Sequence, residues 1–207
     1  MDNMAYLQQI STTSKPVAAK KQFSLNPKIL IGVGIAVVVL IFFIVIASML
    51  GNVTDKEKEE AMRLNIRTNY LLSVLDDYTN SVKSSNLRSM GATLSTHLTE
   101  LNRDLLPILT AAWGYEDWEQ DSPPEILEEE TEFIRPLVED LENARLNGLL
   151  DRVYVRELAL QIALFNSIQS EVIARTEKED LATLLEKSLT NLRELHTQFS
   201  DYSDRSN

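Results

Sequence analysis

The chain's two imidazoles are His97 and His196. Histidines on paired helices, each three residues after a glutamate, build the carboxylate-bridged metal centres of some helical bundles. Here the residues three positions earlier are Leu94 and Arg193, so that motif is absent. His97-Leu98-Thr99-Glu100 has the reversed spacing. Both histidines flank apolar positions, where an imidazole is usually a boundary residue. There is no cysteine, which excludes disulfides, thiolate metal sites, a Cys nucleophile and an N-terminal lipidated Cys. No serine sits in a Gly-x-Ser-x-Gly setting, and the six glycines form no phosphate-cradling loop. The acid run Glu125, Glu128, Glu129, Glu130 and Glu132 opens a helical stretch. It reads as a solvated face that complements the helix dipole. No catalytic, cofactor-binding or metal-binding residue is assigned, and the expectation is a non-enzymatic protein without a cofactor.

The most distinctive local sequence is Trp113-Gly114-Tyr115-Glu116-Asp117-Trp118-Glu119, which holds both tryptophans of the chain. Exposed aromatics supply binding hot spots, so Trp113, Tyr115, Asp117 and Trp118 are the candidate partner-contact residues. Two other readings are weighed: an aromatic anchor at a membrane interface, and a plug closing the end of a helical bundle.

These residues must be positioned by something, and the largest element is an unbroken apolar run from Ile29 to Leu50 without a charge. As a helix, its 22 residues span roughly 33 Å, enough to cross a bilayer core. Residues 1–28 form a polar, basic tail that reads as disordered, with Lys15, Lys20, Lys21 and Lys28 against Asp2, a net of +3. By the positive-inside rule this places the N-terminus in the cytoplasm and the C-terminal domain outside it, a single-pass signal-anchor arrangement. A cleaved signal peptide is the weaker alternative, because the run is longer than an ordinary leader core. Gly32 and Ala36 lie one turn apart and would let two such helices approach closely. Asn52-Val53-Thr54 is a lone glycosylation sequon beside the run.

Residues 51–207 make an acidic domain. The chain's net charge is −11, so removing the +3 tail leaves −14. That excess argues against nucleic acid as a partner. The domain reads as consecutive amphipathic helices. Thr54-Asp55-Lys56-Glu57 is a capping-box pattern before the stripe Leu64, Leu71, Leu75, Tyr78 and Val82. A turn at 84–86 precedes Leu87, Met90, Leu94, Leu98, Leu101, Leu105 and Ile108, with Pro107 expected to kink or re-start that helix and Gly114 to end it. Ser122-Pro123-Pro124 offers a cap for a third helix with an internal Pro136, ended by Asn147-Gly148. The fourth helix carries Val155, Leu158, Ile162, Phe165, Ile168 and Val172. Thr176-Glu177-Lys178-Glu179 is a second capping box before Leu181, Leu185, Leu192, Leu195 and Phe199. No stretch alternates as a strand would.

The fold expected is therefore all-α: a single transmembrane helix followed by an antiparallel up-down bundle of about five helices. The 113–122 loop and the 175–178 turn should share one end, facing the membrane, and the 83–86 and 146–149 turns the other. The expected function is protein–protein interaction or membrane-complex assembly, through a protein partner or self-association. The alternative is a ligand-sensing or solute-binding bundle, with a pocket where Pro107 and Pro136 loosen the packing.

Overall fold

Apolar side chains recur at helical spacing in most of residues 56–205, the part of the chain that a computed structural model describes. The chain divides into two units, Met1–Ser48 and Met49–Asn207, and the described residues lie in the second. The basic tail, the apolar run with Gly32 and Ala36, the sequon and Thr54 fall outside them. No helix among the described residues is long and apolar enough to cross a membrane.

The described residues form five helices and no strand. Helix α1 occupies 56–78 and runs into a 3-10 turn, Thr79–Ser81. It is followed by α2 (Ser85–Trp113), α3 (Pro124–Leu146), α4 (Leu150–Arg175) and α5 (Glu179–Arg205). Cross-helix contacts give the direction of each. Asn65 meets Asn102, while Thr79 lies beside Gly91, so α1 and α2 are antiparallel. Asp151 at the start of α4 accepts from the backbone N–H of Lys83 and Ser84, both at 2.8 Å, while Thr176 past its end bonds Glu57 at 2.6 Å. Near the end of α5, Tyr202 donates to Ser84 Oγ at 3.0 Å. Successive helices thus alternate in direction. The 113–122 loop and the 175–178 turn share the end where α1 begins, with Lys178 Nζ 4.8 Å from the Trp113 ring centre.

One apolar core runs between all five helices and includes the fully buried Tyr115, Tyr154, Phe165 and Phe199. Burying each such leucine or phenylalanine contributes about 1.5–3 kcal/mol before ordering costs are set against it. The α2 stripe is Leu87, Gly91, Leu94, Leu98, Leu101, Leu105 and Leu109. Leu109 therefore takes the inward position expected of Ile108, because the 3.6-residue period drifts off a strict heptad.

Several local expectations are corrected. Helix α2 continues through Pro107 rather than re-starting there, while α3 contains Pro136 as an internal proline, as expected. Each proline forfeits one backbone hydrogen bond on an exposed face, and the buried residues flanking it, Leu105 and Leu109 in α2 and Ile134 and Leu137 in α3, hold the helix. Ser122 does not cap α3. The cap position is Pro123, which has no side chain to offer the helix, and the Ser122 hydroxyl pairs instead with Tyr115. Thr176 does not open α5 as a capping box. Its hydroxyl accepts from Lys178 N–H at 3.1 Å and donates to Glu57, joining the α4–α5 turn to α1. Gly114 ends α2 at φ 66°, a left-handed conformation that glycine adopts without strain.

Candidate functional site

The loop between α2 and α3 is built by its own acids. The Asp121 carboxylate accepts from Glu116 N–H at 2.7 Å and Asp117 N–H at 2.8 Å. Those backbone donors, Asp117 and then Glu116, hold its pKa below the usual carboxylate range. Asp117 in turn accepts from Glu119 N–H at 2.8 Å and Gln120 N–H at 3.1 Å. Two of the acids thus serve as turn-formers.

The four aromatic-loop candidates separate. Tyr115 is 1% exposed and is a core residue, so its ring offers nothing to a partner. Its hydroxyl lies 3.3 Å from Asn65 Oδ1, to which it donates, and 3.0 Å from Ser122 Oγ. Asp117 is occupied by its own turn. Trp118 is half-buried edge-on against Tyr70, with ring centres 5.3 Å apart at 79°. Trp113 is half-buried beneath Lys178. Both indoles pack against the core, Trp113 beside Lys178 at the end where α1 begins and Trp118 farther along α1 at Tyr70.

Beneath this loop lies a polar seam between α1, α2 and α3. Asn65 donates to Asn102 at 2.7 Å, Asn102 donates to Asn69 at 3.1 Å, and Asn69 returns to the Asn65 carbonyl at 2.9 Å. Further along, Glu130 is 1% exposed and is held by two guanidiniums. Arg63 Nη1 donates to it at 3.1 Å and Arg67 pairs with both carboxylate oxygens. Arg67 also lies 3.8 Å from the centre of the Phe133 ring. Burial works against the charge on Arg63, but hydrogen bonds to Glu129, Glu59 and Glu130 outweigh it and raise its pKa. The reading of the acid run as a wholly solvated face is therefore corrected for Glu130. The sequence did hold the signal: Glu130 lies four residues after Ile126 and four before Ile134, on the inward stripe of α3. A buried carboxylate closed off by two arginines is a structural tie between α1 and α3.

Two buried phenols carry a pH dependence. Burial pushes Tyr115 up to about 12, with the Ser122 hydrogen bond pulling slightly back. Tyr154 is likewise pushed up to about 12 by burial, against its bond to Thr79. Unfolded tyrosine ionises near 10, so the folded state holds these protons more tightly. Their contribution is complete below pH 10 and is lost as pH rises toward 12. Urea midpoints measured from pH 9 to 11.5 should fall above pH 10. Tyr154→Phe should reduce the fall, and an unchanged slope would contradict this assignment.

His97 lies beside a shallow recess between α2 and α5 with Glu100, Asp104, Lys187 and Asn191. No three His, Asp or Glu side chains come close enough to hold a metal ion among the described residues. An open groove of about 590 Å³ lies beside Pro107, Ile108 and Ala111, with Lys178 to Asp180 across it.

A surface that the helical stripes did not reveal lies on α3 and α4. Val138, Leu146, Leu149, Leu160 and Leu164 are exposed, Leu146 to 70%. The stripe of α4 through Val155, Leu158, Ile162, Phe165 and Val172 is buried as expected. Its opposite face holds leucines as well. The available sequence signal was this surplus of leucine off the stripe, which a one-face reading passes over. No protein-family model matches the chain, and no curated protein or solved structure is significantly similar to it.

Proposed function

We propose that this protein is a single-pass, membrane-anchored helical domain that works by protein–protein interaction rather than by chemistry. Ile29–Leu50 would be the span, with the lysine-rich tail cytoplasmic and the acidic bundle outside. The observation that carries the interaction reading is the exposed leucine face of α3 and α4 on an otherwise acidic domain. Leu160 and Leu164 lie one turn apart on the outward side of α4, and exposed apolar side chains on a charge-free helical stretch suit a covering partner. The half-buried Trp113 and Trp118 offer a second, smaller contact.

Two measurements on the full chain test this. A C-terminal tag should be reached by an impermeant protease in intact cells, and the protein should stay in the membrane after alkaline extraction. Release by that extraction would remove the anchor, and a protected tag would reverse the topology. A photo-crosslinking residue at position 160 should give a discrete product that Leu164→Glu abolishes at unchanged helicity. Absence of any product would remove the interaction reading.

The groove beside Pro107 favours a second reading, a ligand-binding bundle. It is open to solvent along its length, whereas small-molecule sites usually enclose most of the ligand.

A further inference from the structure

Helix α4 carries no charged residue from Leu158 to Ser170, although the domain around it is strongly acidic. On the outward face of that stretch Leu160 is 51% exposed and Leu164 36%, and Leu149 at the start of the helix is 54% exposed. The face has an internal symmetry. Leu149 and Ala174, Arg152 and Glu171, Arg156 and Ser167, and Leu160 and Ala163 are each equidistant from the point between Gln161 and Ile162. All eight are exposed. In every pair the residue before that point is large or basic, and the residue after it is small or acidic.

We propose that α4 pairs antiparallel with α4 of a second copy of this chain, about a two-fold axis at that point. This takes the interaction reading of the α4 face and names its occupant. A two-fold contact is self-complementary by construction: each residue meets its mirror position on the other copy. Leu149 and Leu160 of one copy then lie over Ala174 and Ala163 of the other, a large side chain against a small one at each step. Arg152 meets Glu171 twice, once at each end. Within its own chain Glu171 has only a 3.9 Å approach to Arg175, so it is free to take a second partner. The uncharged middle is also where two acidic domains approach with least repulsion. From Leu149 to Ala174 the face runs about 38 Å. One helix-on-helix contact of that length falls toward the small end of the roughly 1,200–2,000 Å² of stable interfaces, so dimerisation should depend on concentration.

The chain has no cysteine, so an engineered pair reports directly. In the full chain in detergent, Arg152→Cys with Glu171→Cys should oxidise to a closed dimer joined by two bridges. The two positions lie roughly 28 Å apart along one helix, far beyond the ~7 Å reach of a disulfide, so the bridges must join copies. By charge reversal, Arg152→Glu or Glu171→Arg alone should weaken dimerisation about tenfold, and the two together should return it to within about threefold of the wild type. Both positions are exposed, and circular dichroism is the check that each variant folds. A monomer under oxidation, an open ladder of oligomers, or failure of the double reversal to restore the dimer would each overturn the proposal. If a crosslinker at position 160 instead captures a different protein while the cysteine pair stays monomeric, the second copy is excluded and the interaction reading survives.

Discussion

Glu130→Ala should lower the unfolding free energy by about 2–4 kcal/mol, and Tm by roughly 5–15 °C for a domain of this size. The carboxylate is 1% exposed, while Arg63 and Arg67 retain 18% and 15% of their side-chain surface. Removing it leaves two positive charges side by side at a helix interface. Arg63 keeps Glu59 and Glu129, but Arg67 is left with the Phe133 face. That partial compensation is why the expected loss falls below the 3–5 kcal/mol found when a fully buried pair is broken. Glu130→Leu combined with Arg67→Met should recover much of the loss, since an apolar pair needs no desolvation. Thermal and urea unfolding of the wild type, Glu130→Leu, Arg67→Met and the double variant gives the coupling directly. A loss under 0.5 kcal/mol for Glu130→Ala would mean that the seam is solvated in solution.

The second large effect is expected at Gly91. A glycine inside a helix normally costs up to about 1 kcal/mol relative to alanine, so Gly91→Ala would ordinarily stabilise. Here a Cβ would stand 2.2 Å from the Tyr154 hydroxyl and 3.0 Å from Thr79 Cγ2. The Tyr154 ring is fully buried and cannot swing aside, and its hydroxyl is bonded to Thr79 at 2.9 Å. Overpacking of this kind costs about 1–3 kcal/mol, so Gly91→Ala should be net destabilising and Gly91→Val more so, by about 3 kcal/mol. Adding Tyr154→Phe removes the obstructing oxygen and should make the Gly91→Ala loss smaller than it is alone. The exposed neighbour Ala92→Val is the control and should change stability by under about 0.5 kcal/mol. A stabilised Gly91→Ala would show that α2 can shift away from α4.

How much of this was legible beforehand differs by element. The α2 stripe and the helix ends at Gly114 and Gly148 follow from local rules: a 3.6-residue period, and glycine's access to positive φ. The capping assignments at Ser122 and Thr176 failed because a short polar side chain bonds whichever donor or acceptor is nearest. In the fold those are Tyr115 and Glu57, 7 and 119 residues away along the chain. The re-start expected at Pro107 failed for a related reason. One lost hydrogen bond is a local cost, and a long helix packed on neighbours absorbs it.

By itself, the sequence determined the all-α class, the number and approximate limits of the helices, the inward stripe of each and the acidity of the domain. Each of these depends on residues within a few turns of one another. Only the tertiary structure decided that Tyr115 is core rather than surface, that Glu130 is clamped by Arg63 and Arg67, that Gly91 makes room for Tyr154, and that α4 turns its second row of leucines outward. Those outcomes depend on which helix lies against which face. That choice is made by long-range packing between residues far apart in the chain, and no local pattern carries it.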